Sequence, residues 1–120
     1  MSKKNVLIVE DESIISLLVE RMVDNLGHTV VHKVTSGEEA IDAAEEHSPD
    51  IILMDIRLDG EINGIEATKI IREKHDISVI FVSGNTDMLK SADVDPSEYI
   101  EFLAKPVTLA ELSDSFDLAS

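Results

Sequence analysis

Five polar side chains follow apolar runs of the sequence, and their types fit chemistry on a phosphate group. They are Glu10, Asp11, Asp55, Ser83 and Lys105. If they meet, the three carboxylates repel one another and need a cation, and a hard ion with oxygen ligands such as Mg²⁺ meets that need. The ammonium and the hydroxyl would bind the remaining oxygens of a tetrahedral anion. The set predicts phosphoryl transfer, with Asp55 as a carboxylate nucleophile.

Each of these residues taken alone has a simpler interpretation. An acid after a strand, such as Glu10 or Asp11, is most often the N-cap of the next helix. Ser83 alone is typical of a turn, and a lysine before a proline is unremarkable. Asp55 is harder to dismiss, since a buried carboxylate without a partner is costly. The functional interpretation therefore depends on all five residues meeting at one place.

The elements that would position these side chains alternate along the chain. The apolar pattern predicts strands over 5–9, 29–34, 51–54, 78–82 and 99–103. It predicts helices over 12–26, 36–46, 64–74, 87–92 and 109–116, and Ser36 and Glu39 have the spacing of a capping box.

This alternation predicts an α/β fold, a doubly wound parallel sheet with helices on both faces. Strands that are apolar at successive positions agree, because central parallel strands are covered on both sides. Ligands of such sheets bind beyond the carboxyl ends of the strands. All five polar residues lie at that edge, so we expect them to converge there.

The overall composition excludes several other classes of function. The chain has 120 residues, for which we expect a single domain over 1–120. With 10 basic and 25 acidic residues its net charge is −15, which disfavours binding to nucleic acid or to an anionic membrane. There is no cysteine, and no apolar run approaches a membrane span. We expect a cytoplasmic protein.

Four motifs together resemble the receiver domain of two-component response regulators over residues 4–116. They are VLIVEDE, IILMDIRL, VIFVSG and FLAKP, in the order and at the spacings usual in that family. The resemblance implies a five-stranded parallel sheet of the flavodoxin-like order 2-1-3-4-5. It also implies a two-component signalling role, with Asp55 accepting a phosphoryl group from a sensor histidine kinase or a phosphotransfer protein.

The resemblance further assigns roles around Asp55. Asp11 would hold Mg²⁺ directly and Glu10 through water, with Asp55 and the backbone carbonyl of Arg57 as further ligands. Arg57 and Asn85 stand at the two positions that influence the lifetime of the phosphoryl group in this family.

The same resemblance implies a switch. Ser83 would bind the phosphoryl group and Lys105 would pair with it, and the bond from Lys105 to Pro106 would be cis. Phe102 would then turn inward behind Ser83. This repacks the face formed by the fourth predicted helix, the fifth strand and the last helix, which would control a downstream effector protein or output domain. That face is also where a homodimer could form.

Two alternative functions fit these residues less well. A small Mg²⁺-dependent phosphohydrolase with an aspartyl nucleophile usually has a second acid two residues on, where this chain has Arg57. A receiver-like module that only binds proteins would lack the acids or the lysine, and all are present. None of the four histidines is placed as a phosphodonor, so we expect no enzyme beyond self-catalysed phosphoryl transfer and hydrolysis.

The loop after Asp55 departs from the family pattern. Asp59 stands where a proline is common, and the loop to Gly64 is one residue longer than usual. The sequence assigns no role to residues 59–63.

Overall fold

The computed structural model describes residues 3–84, 99 and 101–119. Its strands are β1 (Asn5–Val9), β2 (Thr29–Val34), β3 (Ile51–Met54), β4 (Ser78–Ser83) and β5 (Glu101–Ala104). Its helices are α1 (Ser13–Asn25), α2 (Gly37–His47), α3 (Gly64–Lys74) and α4 (Leu109–Leu118). The helix predicted over 87–92 lies outside the described residues, so α4 is the last helix of the chain.

The strands form one parallel sheet in the order β2-β1-β3-β4-β5. The predicted fold class and strand order are therefore confirmed. The chain leaves β1 for one edge, returns to the other side of β1 as β3, and continues outward. The reversal of strand order lies between β1 and β3, which is where a doubly wound sheet binds its ligands.

Two hydrophobic clusters explain why the strands are apolar at successive positions. Alternate side chains, such as Leu7 and Ile52, pack under α2 and α3. Their neighbours, such as Ile8 and Leu53, pack on the other face under α1 and α4. Because a strand points successive side chains to opposite faces, a strand covered on both sides needs apolar residues throughout.

Side-chain caps set where three helices begin. The Ser36 hydroxyl accepts the amide of Glu39 at the start of α2, at 3.1 Å. Asn63 and Thr108 form capping boxes with the glutamates three residues later, Glu66 and Glu111. Ser36 is thus the N-cap that the predicted spacing indicated, and α2 begins directly after it.

The fifth strand differs from its prediction. Among the described residues, pairing with β4 begins at Ile80 and Glu101, and the strand ends at Ala104, one residue later than predicted. Tyr99 lies outside the strand, and its ring packs 5.3 Å from the ring of Phe81, centroid to centroid. The apolar pattern predicts Tyr99 as part of the strand, whereas the structure places it before the strand with its ring against the core.

No helix within the described ranges has the length and hydrophobicity needed to cross a membrane.

Candidate functional site

Backbone hydrogen bonds to the neighbouring strands hold three of the predicted site residues. The amide of Glu10 donates to the last carbonyl of β2 at 3.0 Å, and that of Asp55 to the last carbonyl of β1 at 3.0 Å. The amide of Lys105 donates to the carbonyl of Ser83 at 3.1 Å. Each residue lies one position beyond a strand yet remains in the ladder, so its side chain projects from a rigid edge.

Lys105 makes ion pairs with two of the acids. Its Nζ lies 2.5 Å from Oε1 of Glu10 and 3.2 Å from Oδ2 of Asp55. The side chains of Glu10 and Asp55 are 5% and 6% exposed, and that of Lys105 is 17% exposed. Two nearly buried carboxylates therefore share one ammonium, which leaves them with a net negative charge.

The third carboxylate, Asp11, completes the acidic set. Glu10, Asp11 and Asp55 each offer one oxygen, and these oxygens lie within 4.8 Å of one another. An all-oxygen set of this kind suits a hard divalent cation such as Mg²⁺, which takes one or two carboxylates and completes its shell with water or phosphate oxygens. The donor chemistry of the described residues therefore fits the predicted ion.

Burial and neighbouring charges shift the pKa values of two of the acids and of the lysine. Burial raises the pKa of Glu10, and the nearby Asp55 adds to this although Lys105 opposes it. Burial also raises the pKa of Asp11, with a further contribution from Glu10. For Lys105, burial alone would lower the pKa, but the carboxylates of Glu10 and Asp55 outweigh burial and raise it. The site favours added positive charge.

A cavity of about 450 Å³ opens above Asp55. The residues that line it are Asp11, Glu12, Asp55, Arg57, Ser83, Gly84 and Lys105. Ser83 is 2% exposed and is the last residue of β4, which extends one residue further than predicted. The cavity therefore combines a carboxylate, a hydroxyl and an ammonium around a space that would accept a tetrahedral anion.

The N-cap interpretation of the acids does not describe this site. The N-cap of α1 is Glu12, and its side chain makes no capping hydrogen bond. Glu10 instead accepts the amide of Glu12 through Oε2 at 3.2 Å while its other oxygen faces Lys105. Glu10 thus joins the start of α1 to the site.

A family model identifies the family to which this chain belongs. The model of the response regulator receiver domain matches residues 6–117. The chain is a response regulator receiver domain. It takes part in two-component signalling, and the resemblance predicted from the four motifs is confirmed.

Known proteins similar to this receiver domain support the same conclusion. It is 42% identical over 84 residues to a protein-glutamate methylesterase/protein-glutamine glutaminase of Nitrosospira multiformis, a match that covers 69% of this chain and 23% of that protein. It is 30% identical over 118 residues to the transcriptional regulatory protein PdtaR of Mycobacterium tuberculosis, covering 97% of this chain and 56% of that protein. The chain therefore spans about a quarter and about half of the length of these two relatives.

A solved structure matches the whole fold. The receiver domain of the Erythrobacter litoralis response regulator PhyR superposes with a TM-score of 0.87 at 30% identity, covering 99% of this chain and 91% of that one. The observed arrangement of strands and helices is thus that of a known receiver domain.

The remaining predicted residues of the receiver domain lie at different places. Arg57 is exposed and lines the cavity. Phe102 lies on β5, half-buried against the cluster under α2 and α3, and pairs in register with Phe81. The bond between Lys105 and Pro106 is cis. Asn85 lies outside the described residues, as does the predicted fourth helix of the switch face.

The loop between β3 and α3 makes a contact that the sequence did not reveal. Ser36 and Asp59 form an isolated parallel bridge, which joins the loop to the residue that caps α2. Gly64 closes the loop, and a Cβ there would lie 1.9 Å from the carbonyl oxygen of Asp55. The sequence showed a glycine at a helix start, but only the fold shows that the glycine allows α3 to touch the backbone of the predicted phosphoacceptor.

The histidines take no part in the site. Nδ1 of His28 accepts the amide of Lys4 at 3.0 Å, and its ring lies edge-on against Phe116 at 4.9 Å between centroids. The rings of His32 and His47 stack at 4.8 Å.

Proposed function

We propose that this receiver domain accepts a phosphoryl group on Asp55 from the phosphohistidine of a sensor kinase or phosphotransfer protein. The main support for this proposal is that Asp55, at the end of the central strand β3, lines one cavity together with Ser83 and Lys105. A carboxylate oxygen of Asp55 would attack phosphorus as the bond from phosphorus to the donor nitrogen breaks. The product is an aspartyl phosphate on this chain and a free histidine on the partner.

The residues around Asp55 have distinct tasks in this proposal. The ammonium of Lys105 would neutralise the negative charge on the phosphoryl oxygens. Its Nζ lies 3.2 Å from Oδ2 of Asp55, within reach of a phosphoryl group bound there. Ser83 would donate its hydroxyl to another phosphoryl oxygen. Little covalent chemistry is required of either, since positioning and charge neutralisation supply most of the catalysis in phosphoryl transfer.

The acidic set would hold the metal ion. Asp11, Asp55 and the backbone carbonyl of Arg57 would coordinate Mg²⁺, and Glu10 would hold it through water. When bound, the ion neutralises the carboxylates and the incoming phosphoryl oxygens. The clustering of the oxygens of Glu10, Asp11 and Asp55 within 4.8 Å of one another supports this assignment.

The output of the domain would be a change on the face that includes β5 and α4. Movement of Ser83 toward the phosphoryl group would free space behind it, and Phe102 would turn toward that space. The position of Phe102 on β5 supports this role, since its half-buried side chain borders both the core and the solvent. A downstream effector, an output domain or a second copy of the chain would read the altered face. Arg57 and Asn85 would set the lifetime of the phosphoryl group. The domain would act in the cytoplasm.

Intact-mass measurement after incubation with Mg²⁺ and acetyl phosphate tests the proposal. We expect the wild type to gain one phosphoryl group, and EDTA to prevent the gain. Asp55→Asn should remain unmodified, and Asp50→Asn, at an exposed acid before β3, should react like the wild type. Modification that persists in Asp55→Asn would contradict the assignment of the phosphoacceptor. Rapid turnover of acetyl phosphate without an accumulating aspartyl phosphate would instead favour a phosphohydrolase.

A further inference from the structure

The loop of residues 59–62, here called the acidic loop, is attached to the first turn of α2. Asp59 bridges to Ser36, and the side chain of Ile62 packs where a Cβ of Gly37 would lie, 2.7 Å from Ile62 Cγ1. The third attachment involves Glu38. The three contacts are made by Ser36, Gly37 and Glu38, which are successive residues at the start of α2.

Glu38 makes the side-chain hydrogen bond between α2 and the acidic loop. Its Oε2 accepts the backbone amide of Glu61 at 3.1 Å. Its carboxylate also lies directly over Gly60, where a Cβ would be 2.7 Å from Oε2. Gly60 has φ +98°, a conformation that favours glycine. The glycine turns the loop so that the amide of Glu61 points at Glu38.

The carboxylate of Glu38 is well suited to this contact. Its pKa is lowered because the amide of Glu61 and, next, its own amide at the start of α2 donate to it. The charged form is therefore the one that binds the loop at neutral pH. An acid in the first turn is also favoured by the helix dipole.

Both ends of the segment that contains the acidic loop are fixed at the site. Asp55 is held to β1, and the amide of Gly64 donates to the carbonyl of Ile56 at 2.8 Å. Between these points the chain carries Arg57, whose backbone carbonyl is the proposed metal ligand. The acidic loop, Arg57 and Asp11 line a second cavity of about 370 Å³ beside the site. Glu38 makes the side-chain hydrogen bond among the three contacts that tie the middle of this segment to α2.

We propose that Glu38 is a positioning residue that holds the acidic loop, and through it the backbone of Arg57, for Mg²⁺ binding. This inference rests on the proposed function, since it assumes that the ion binds at Glu10, Asp11 and Asp55. Glu38 does not touch the ion. It acts by restricting the loop, so that less conformational freedom is lost when the ion binds.

Three variants separate the hydrogen bond of Glu38 from its charge. Glu38→Ala removes both, whereas Glu38→Gln removes the charge and keeps an acceptor oxygen. Glu45→Ala removes a charge from an exposed position of the same helix and serves as the control. By calorimetric titration we expect the Kd for Mg²⁺ to rise about three- to tenfold in Glu38→Ala, toward the lower range of effects seen for residues that orient metal ligands. Glu38→Gln and Glu45→Ala should remain within about twofold of the wild type.

Amide hydrogen exchange reports the anchor itself. We expect the amide of Glu61 to exchange faster in Glu38→Ala than in the wild type, while amides of β3 keep their protection.

The outcomes distinguish this inference from the proposed function. If the wild type fails to bind Mg²⁺, the metal site itself is wrong, and the inference fails with it. If the wild type binds and Glu38→Ala matches it, Glu38 does not position the loop for the ion. Equal weakening in Glu38→Ala and Glu38→Gln would mean that charge alone acts, which also overturns the inference.

Discussion

The ammonium of Lys105 lies nearer to Glu10, at 2.5 Å, than to Asp55, at 3.2 Å. The lysine is thus drawn toward an acid of the proposed metal site as well as toward the phosphoacceptor. Within the described residues, the two carboxylates share this cation, so it supplies part of the charge that a metal ion would otherwise supply. Lysine and metal ion should therefore stabilise the same carboxylates.

Lys105→Met should destabilise the protein by about 1–3 kcal/mol without Mg²⁺, because two nearly buried carboxylates lose their partner. Added Mg²⁺ should restore more stability to this variant than to the wild type. Urea unfolding in EDTA and in Mg²⁺ measures both effects. The control is Lys33→Met, which breaks the surface ion pair with Glu20 and should cost less than about 1 kcal/mol in either condition. An equal Mg²⁺ effect in wild type and Lys105→Met would contradict the shared role.

Asp11→Asn should reduce the stabilisation that Mg²⁺ gives to the folded protein. An ion that binds only the folded state adds about 1.4 kcal/mol at ten times its Kd, and this should appear as a rise in Tm. Asp11 contributes one of the three clustered oxygens, so its loss should lower the rise. Thermal unfolding across millimolar Mg²⁺ measures it, with Asp24→Asn on the exposed surface of α1 as the control. A wild-type Tm that does not respond to Mg²⁺ would exclude a shared site.

Gly64→Ala should destabilise the fold by about 1–3 kcal/mol, in the range of overpacking substitutions. Its Cβ would lie 1.9 Å from the carbonyl oxygen of Asp55, so α3 or the end of β3 must shift. Phosphorylation by acetyl phosphate should slow as well, since the shift displaces Asp55. Glu73→Ala, at an exposed position of α3, is the control. Urea unfolding in which the two variants match would show that the close approach is not needed.

His28 should make stability fall as pH is lowered. Burial first, and then the charge of Lys4, lower its pKa, although Asp117 opposes them. Its folded-state pKa lies below the unfolded value of about 6.5, so the unfolded state binds more protons in that interval. The stability is complete above pH 6.5 and is lost as pH falls from there through the folded pKa. Protonation of Nδ1 also removes the acceptor for the amide of Lys4.

Urea unfolding between pH 8 and pH 5 measures this dependence. His28→Asn, which does not titrate, should show a smaller loss of stability over the same interval. His75→Asn lies at the end of α3, away from this contact, and should follow the wild type. Parallel curves for wild type and His28→Asn would show that His28 does not govern the acid response.

The positions of most site residues were predictable because they follow from local order along the chain. Asp55 and Lys105 each come directly after an apolar strand, and parallel strands bring such residues to one edge. Capping at Ser36 was equally local, since a hydroxyl and a glutamate three residues apart suffice. The start of β5 was not predictable in this way. Tyr99 lies outside the strand, and its ring packs against Phe81 instead of its backbone pairing with β4.

The sequence by itself determined the alternation of strands and helices, the edge at which the predicted site residues meet, and the family. Spacing and residue type encode those features within a few residues of one another. Only the tertiary structure decided which acid Lys105 approaches most closely and what holds the acidic loop. Glu38 and Glu61 are 23 residues apart, and no local pattern marks a carboxylate that accepts one distant amide. Such contacts exist only once β3 has packed beside β1 and α2 has settled on the sheet.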